Sequence, residues 1–431
     1  MRWAVVAVLG LCAGCRGESQ PAPAPSSAPA EPVVADTAGS GGASAAAASA
    51  VPASKQEPTQ GAEPVETVVE CPAVIADSAD EDARIAVLID EANKQIERSA
   101  FAAAWTCADR AADISPTSVE AHHLRGAALA ALGRDGEAQL AYSIALAIDP
   151  DDPETLRAVA DFYINGKRER GRDALRLGLE LAERGSRRAQ ARRRRNPPLV
   201  ADLAVLEAQA LNDLGRSDEA LGRIDVALRN APRRGDALHE QGVALFDLSR
   251  FPEAKATLVR ALEIQPEDAY THQMLGLTLE QLGDHTGAEA ELARARTLAP
   301  HELTEPVVIS QPEFRKEIDD IVDSLPAERR SKVRSINIEI TDLPAAEDLA
   351  AVKPPFPPTI LGLYRGPVGR AAQLPPQPGE EPPSIVLYRK NLARAAKSRR
   401  ELSEQIRDTL LHEIGHLEGY DEDDLRRRGM E

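Results

Sequence analysis

Apolar and polar positions divide the chain into four stretches. Arg2 precedes a short apolar run, Trp3 to Ala13. A bilayer span needs about 20 such residues, so this run is too short to cross one. Residues 16 to about 69 are dominated by Ala, Pro, Ser, Gly and Glu and have no helical or strand periodicity. They cannot bury a core and read as a tether. From about 85 to 302, small and apolar positions recur in a fixed phase. Beyond that lie three segments rich in β-formers, 336–340, 359–366 and 384–390, which predict strands. In 401–419 the spacing of Leu402, Ile406 and Leu410 predicts an amphipathic helix. The pattern therefore predicts a long helical region followed by a small α+β unit.

The phase of the helical region is set by prolines. Pro116 and Pro150, Pro232 and Pro266, and Pro266 and Pro300 are each 34 residues apart. Small residues stand at Gly126, Ala208, Gly242 and Gly276, where two helices must approach closely. Ala138, Ala220, Ala254 and Ala288 follow each of these at one fixed offset, and Ala145, Ala227, Ala261 and Ala295 at another. A 34-residue period with a terminal Pro resembles the tetratricopeptide repeat, a helix–turn–helix unit. The segments 131–138 and 213–220 resemble that family's turn between helices. The count is six repeats, the first and third irregular. Pro150 to Pro232 is longer than two repeats, with the excess near 166–198. It contains the basic stretch Arg184 to Arg195, read as an extended helix or loop whose charge is solvated or neutralised by nearby acids. The resemblance implies a curved solenoid whose concave groove binds a protein or peptide partner.

The candidate chemistry lies in the last predicted helix. His412 and His416 are four residues apart, so they share one face and can reach one metal. Glu413 lies beside them. Zinc lowers the pKa of a bound water to about 7, and a carboxylate such as Glu413 can take its proton as it attacks a carbonyl. Gly419 ends the helix and permits a turn that returns the acidic run Asp421 to Asp424 towards the metal.

The whole region 311–431 resembles the small bacterial zincin-like metallopeptidases, the minimal zincins. The resemblance is carried by Pro312-Glu313-Phe314, by 321–326 and by the predicted strand Ile336 to Ile340. It continues through Ile360 to Gly366, Ile385 to Arg389 and His412 to Gly429. It implies a compact α+β fold with a few strands packed on the metal-bearing helix. It also implies zinc as cofactor, His412 and His416 as ligands and Glu413 as the catalytic base. The family motif continues with Gly, two residues, then Asp as third ligand. Here Glu422 occupies that position, and Asp421 precedes it. Position in the turn favours Glu422; Asp421 is the alternative, matching the family's residue type. Tyr364, Tyr388 and Tyr420 are read as packing residues rather than oxyanion donors.

Composition narrows the picture. Of 431 residues, 43% are hydrophobic but only 3% aromatic, so the core must be built from Ala, Leu, Val and Ile. A formal net charge of -18 disfavours a nucleic-acid partner, which needs a basic footprint. The apolar run after Arg2 reads as a secretory signal, and Leu11-Cys12-Ala13-Gly14-Cys15 resembles a bacterial lipobox. The resemblance implies cleavage before Cys15 and lipidation of its thiol, although Cys12 stands where the family usually has Leu. Plain secretion is the alternative. Cys71 and Cys107 then remain in an oxidising compartment, where they form a disulfide or stay as two separate thiols.

The sequence thus predicts residues 1–15 as leader with lipobox, 16–69 as tether, 70–302 as tetratricopeptide solenoid and 303–431 as zincin-like domain. The function expected is an envelope-associated zinc metallopeptidase, lipid-anchored and facing the periplasm or exterior, whose repeats bind a protein or peptide. The competing reading is a repeat scaffold whose zinc module is structural or catalytically silent. Glu413 argues against a structural site, which has four protein ligands and no spare base. Replacing Cys15 by Ser should move the protein from the membrane fraction to a soluble or unprocessed form, as read by fractionation and immunoblotting. A processed Cys15→Ser protein that stays with the membrane excludes the lipobox assignment.

Overall fold

The computed structural model describes residues 70–73, 80–166, 171–191, 196–367 and 382–428, together with the backbone of β1 (Val5–Val8). The lipobox with Cys15, and the tether 16–69, lie outside the described residues.

Twelve helices form six antiparallel pairs. They are α1 (Glu81–Glu97) with α2 (Phe101–Ile114), α3 (Val119–Ala131) with α4 (Asp135–Ile148) and α5 (Pro153–Asn165) with α6 (Arg172–Ala191). Then follow α7 (Pro197–Asp213) with α8 (Ser217–Asn230), α9 (Gly235–Asp247) with α10 (Phe251–Ile264) and α11 (Ala269–Gln281) with α12 (His285–Leu298). The α-helical tetratricopeptide solenoid expected from the period is the fold observed. Small residues let the two helices of a pair approach. A Cβ on Gly126 would sit 2.6 Å from Tyr142 Cδ1, and one on Gly276 would sit 2.7 Å from Leu292 Cγ. In five pairs the turn between helices passes through one left-handed residue: Gly133, Gly215 and Gly283 in three, Ser99 and Ser249 in the other two. Helix starts are capped by side chains, as where Asp152 accepts from the Thr155 amide at 2.9 Å.

The excess length between Pro150 and Pro232 goes into longer helices. α6 has 20 residues where α2, α4, α8, α10 and α12 have 14. Its basic residues Arg184 and Arg188 both pair with Asp151, at 2.9 and 2.6 Å. These arginines are spent on an acid of the previous connection.

The C-terminal unit opens with α13 (Gln311–Asp323), started by a capping box between Ser310 and Glu313. It continues through α14 (Ala327–Arg334), β2 (Asn337–Thr341), α15 (Ala346–Leu349), β3 (Gly362–Arg365) and β4 (Ser384–Tyr388). It ends with α16 (Arg389–Ala395), α17 (Arg399–Leu417) and α18 (Glu422–Arg427). The strand order is β1-β3-β4-β2. β2 runs parallel to β4, while β3 is antiparallel to both β4 and β1. The predicted strand at 359–366 is shortened, because Pro357 and Pro358 lack the amides a ladder needs and precede a turn ending at Ile360. The strand at 384–390 ends at Tyr388, where α16 begins.

The sheet buries both faces, and side chains alternate between them. Tyr364, Ile385 and Leu387 join a core with Phe314 and Ile318 of α13 and with Leu402, Ile406, Leu410 and Ile414 of α17. Leu363, Val386 and Tyr388 face the other way, onto Leu349 and Ile360. Phe251 of α10 packs against this second cluster, and Glu280 of α11 receives Lys390 Nζ at 2.9 Å and Arg394 from α16. The solenoid and the C-terminal domain therefore share apolar and ionic contacts.

Cys71 and Cys107 are joined by a disulfide that ties the segment before α1 to α2 across 36 residues. Cross-linking a loop of that length removes denatured-state entropy worth roughly 2–4 kcal/mol. Cys107→Ala should therefore lower the unfolding midpoint of the first repeats. Hydrogen exchange should show faster exchange in α1 and α2 than in α9 to α12, and dithiothreitol should produce the same change in the parent.

Candidate metal centre

α17 carries the site, and its position is fixed from both ends. Ser398 caps its start by accepting from the Glu401 amide at 3.2 Å. Leu402, Ile406, Leu410 and Ile414 are completely buried and hold the helix against α13 and the sheet. This places His412 and His416 on the last turns, 5% and 0% exposed, with Glu413 between them at 0%.

The end of α17 decides what meets the imidazoles. Gly419 has φ 91°, a left-handed conformation that a side chain disfavours. The Gly419 amide donates to the His416 carbonyl at 2.9 Å and the Tyr420 amide to the Gly415 carbonyl at 3.0 Å, closing the helix. The chain then reverses, so that the Tyr420 carbonyl accepts from His416 Nδ1 at 2.9 Å. A carbonyl can only accept, so Nδ1 carries a proton and Nε2 is the nitrogen left facing the site. Nε2 faces His412 Nε2 at 3.1 Å.

Asp421 and Glu422 take different places. The Asp421 side chain accepts from the Asp424 amide at 2.9 Å and forms the capping box of α18. Glu422, at the first position of that helix, brings Oε1 to 3.6 Å from His412 Nε2 and 3.7 Å from His416 Nε2. His412, His416 and Glu422 each offer a ligand atom, all within 4.8 Å of one another, and Asp421 is not in this group. Burial opposes ionisation of Glu422, but the neighbouring His412 and His416 outweigh it and hold its carboxyl at about 2. Asp423 and Asp424 pair with Arg426 and Arg427.

The tyrosines are packed. Tyr364 stacks on His416 with centroids 6.4 Å apart, and burial pushes its phenol up to about 12. Tyr388 lies on the opposite face and donates its hydroxyl to Asp348 at 3.1 Å. Burial and the Asp348 charge both raise its pKa. Tyr420 lies under Arg428, whose guanidinium carbon is 4.1 Å from the ring centroid.

Three supports of the site carry no motif. Arg329 of α14 forks onto Glu418, both contacts at 2.7 Å, and pins the end of α17. Arg365 of β3 forks onto Asp348, both contacts at 2.9 Å, and reaches Glu339 of β2 at 3.1 Å. Gly362 of β3 lies over Thr409 and Glu413.

Residues 333–430 match the model of the zincin-like metallopeptidase family, and residues 239–302 match that of the tetratricopeptide repeat. No curated protein matches the chain. Solved structures similar to it include Pseudomonas aeruginosa pilF, 13% identical over 56% of this chain and 99% of that one, with a TM-score of 0.44. PilW, described as a widely conserved type IV pilus biogenesis factor, is 15% identical over 52% and 98%, with a TM-score of 0.44. YrrB, described as a tetratricopeptide protein with an unusual peptide-binding site, is 16% identical over 45% and 93%, with a TM-score of 0.34.

If Glu422 is the third ligand, Glu422→Ala should weaken zinc binding more than about 100-fold, since loss of an outer partner alone typically costs 10–100-fold. Asp421→Ala should weaken it by about tenfold or less while losing a helix cap worth about 0.5–2 kcal/mol. Competition against a chromophoric chelator measures the first effect and thermal unfolding the second.

Proposed function

We propose that the C-terminal domain is a zinc-dependent peptidase, held at the cell envelope by lipid on Cys15 and supplied with a protein or peptide partner by the repeats. The observation that carries this reading is the convergence of His412, His416 and Glu422 beside a buried Glu413.

The donor set fits zinc. Two imidazoles and one carboxylate are a set of three protein ligands, which leaves a position open for chemistry; a structural zinc site is closed by four. The Tyr420 carbonyl holds His416 by Nδ1, so that Nε2 is turned inward. Zinc bound by His412, His416 and Glu422 supplies Lewis acidity towards a substrate carbonyl. Glu413 is not needed as a ligand in that set. It takes the proton of the attacking water and passes it to the leaving amine.

The outer edge of β3 supports an extended peptide as substrate. That edge is paired antiparallel with β1, Val5 opposite Arg365 and Val8 opposite Gly362, and cleavage of the leader before Cys15 removes β1 and frees these backbone groups for another strand. In the repeats, a groove of ≈ 710 Å³ is lined by Asn165, Gln209, His239, Glu240, Asp268 and Tyr270, and this surface suits a partner segment. Among the described residues no helix is long and apolar enough to cross a membrane; the proposed attachment is the lipid on Cys15, which lies outside the described residues.

Glu413→Gln should retain stoichiometric zinc and lose hydrolysis of a labelled protein substrate by about 10²–10⁴-fold, the usual worth of a general base. Equal turnover by parent and variant excludes the reading.

A further inference from the structure

We infer that Gly362 is a positioning residue for Glu413: the missing side chain at this point of β3 is what leaves the Glu413 carboxylate its buried place on the last turns of α17. This inference rests on the peptidase reading for its catalytic consequence, but its geometry stands without it.

The close approach is specific. A Cβ built on Gly362 would lie 2.6 Å from Thr409 Cγ2, 3.0 Å from Glu413 Oε1 and 3.3 Å from Glu413 Cγ. Carbon atoms at their optimum are about 3.5–4.0 Å apart, so a methyl group here cannot be added without movement. Thr409 and Glu413 are one turn apart on the same face of α17, and Gly362 is the point of β3 that lies against both.

What moves is decided by what is held. β3 cannot retreat from α17 easily. Gly362 is paired with Leu387 of β4, and the fork from Arg365 to Asp348 anchors the strand's far end. Behind it Leu363 is completely buried against Leu349, Ile360, Val386 and Tyr388, with Phe251 of the solenoid packed on that cluster. α17 is held equally firmly, because Leu402, Ile406, Leu410 and Ile414 fill the core against Phe314 and Ile318. The added methyl must therefore be accommodated by side chains. Thr409 is 2% exposed and, being β-branched, has few rotamers in a helix. Glu413 has three torsions and a contact at its carboxylate end, so it yields first. Its carboxylate leaves the position that the Gly at 362 allows, while His412, His416 and Glu422, which supply none of the three atoms nearest that point, stay in place.

A simpler role is possible in physical terms: Gly362 serving only close packing of strand on helix, with Thr409 as the atom that matters. The two roles separate on substitution. Thr409→Ser deletes the Cγ2 that lies closest, but leaves the contact with Glu413 untouched.

The test compares the full chain with its Gly362→Ala, Thr409→Ser, Gly362→Ala/Thr409→Ser and Glu413→Gln variants, all loaded with zinc. Thermal midpoint, zinc content, kcat and KM on fluorescein-labelled casein, and a crystal structure of the double variant are recorded. Gly362→Ala should lower the midpoint, and Thr409→Ser added to it should restore most of that loss. The double variant should keep full zinc, show the Glu413 carboxylate displaced, and lose about tenfold to a hundredfold in kcat with KM nearly unchanged, the scale expected for a misplacement near 1 Å. A double variant that regains parental kcat, or a structure in which Glu413 is unmoved, overturns the inference. If parent and Glu413→Gln are equally inert on casein, the peptidase reading has failed instead, and the position of the Glu413 carboxylate in the double variant alone still decides for or against Gly362.

Discussion

The hydrogen bond from His416 Nδ1 to the Tyr420 carbonyl ties the chemistry to the backbone, and several other features exist to make it possible. A carbonyl four residues on can return to an imidazole only if the helix stops and reverses at once, which is the work of Gly419. The same reversal sets the start of α18, because Asp421 caps that helix and Glu422 follows it. One turn therefore fixes the orientation of one imidazole and the place of the carboxylate. Arg329 secures the arrangement from outside by holding Glu418, the residue just before Gly419. Loosening this corner would disturb His416 and Glu422 together rather than singly.

The solenoid is governed by a different constraint, the scarcity of large side chains. With so few aromatics, its helices pack through alanine and glycine, and many of those alanines are completely buried. Small side chains supply little apolar area each, so stability must come from close approach repeated along the stack. That is why Gly126 and Gly276 admit no side chain, and why the turns require a left-handed residue at a fixed place. Where Ser99 and Ser249 take that role instead of Gly, the backbone carries a local cost that neighbouring contacts must offset.

Much of this was legible in the sequence because it was periodic or local. The prolines at 34-residue spacing and the alanines in phase announce the helix pairs, since each recurrence reports the same contact. His412 and His416 announce themselves because helical geometry relates residues four apart. Strand ends were less legible: β3 starts at Gly362, not at 359, because Pro357 and Pro358 impose a turn that β-propensity does not register. Position after Gly419 already favoured Glu422 over Asp421, and the cap of α18 supplies the physical reason, since it occupies the Asp421 carboxylate. Gly362 and Arg365 lie in a segment that carries the family resemblance, but their contacts, like that of Arg329, left no trace in the sequence, because each joins elements distant along the chain and none follows a repeat.

The contacts of Glu280 with Lys390 and Arg394, and of Phe251 with the sheet's second core, bear on how the two halves could be recombined. Solenoids ordinarily need a terminal unit with a polar outer face, because an uncovered last repeat exposes the surface its missing neighbour would bury. Here α10 and α11 are in contact with the zincin-like domain, and Glu280, nearly excluded from solvent, is paired with Lys390 and Arg394 of α16. Cutting between the halves would leave the Glu280 carboxylate without its cations on one side and remove Phe251 from the sheet's second cluster on the other. The two halves are thus poor candidates for module exchange: a graft of either onto a foreign partner would have to bring the matching face with it.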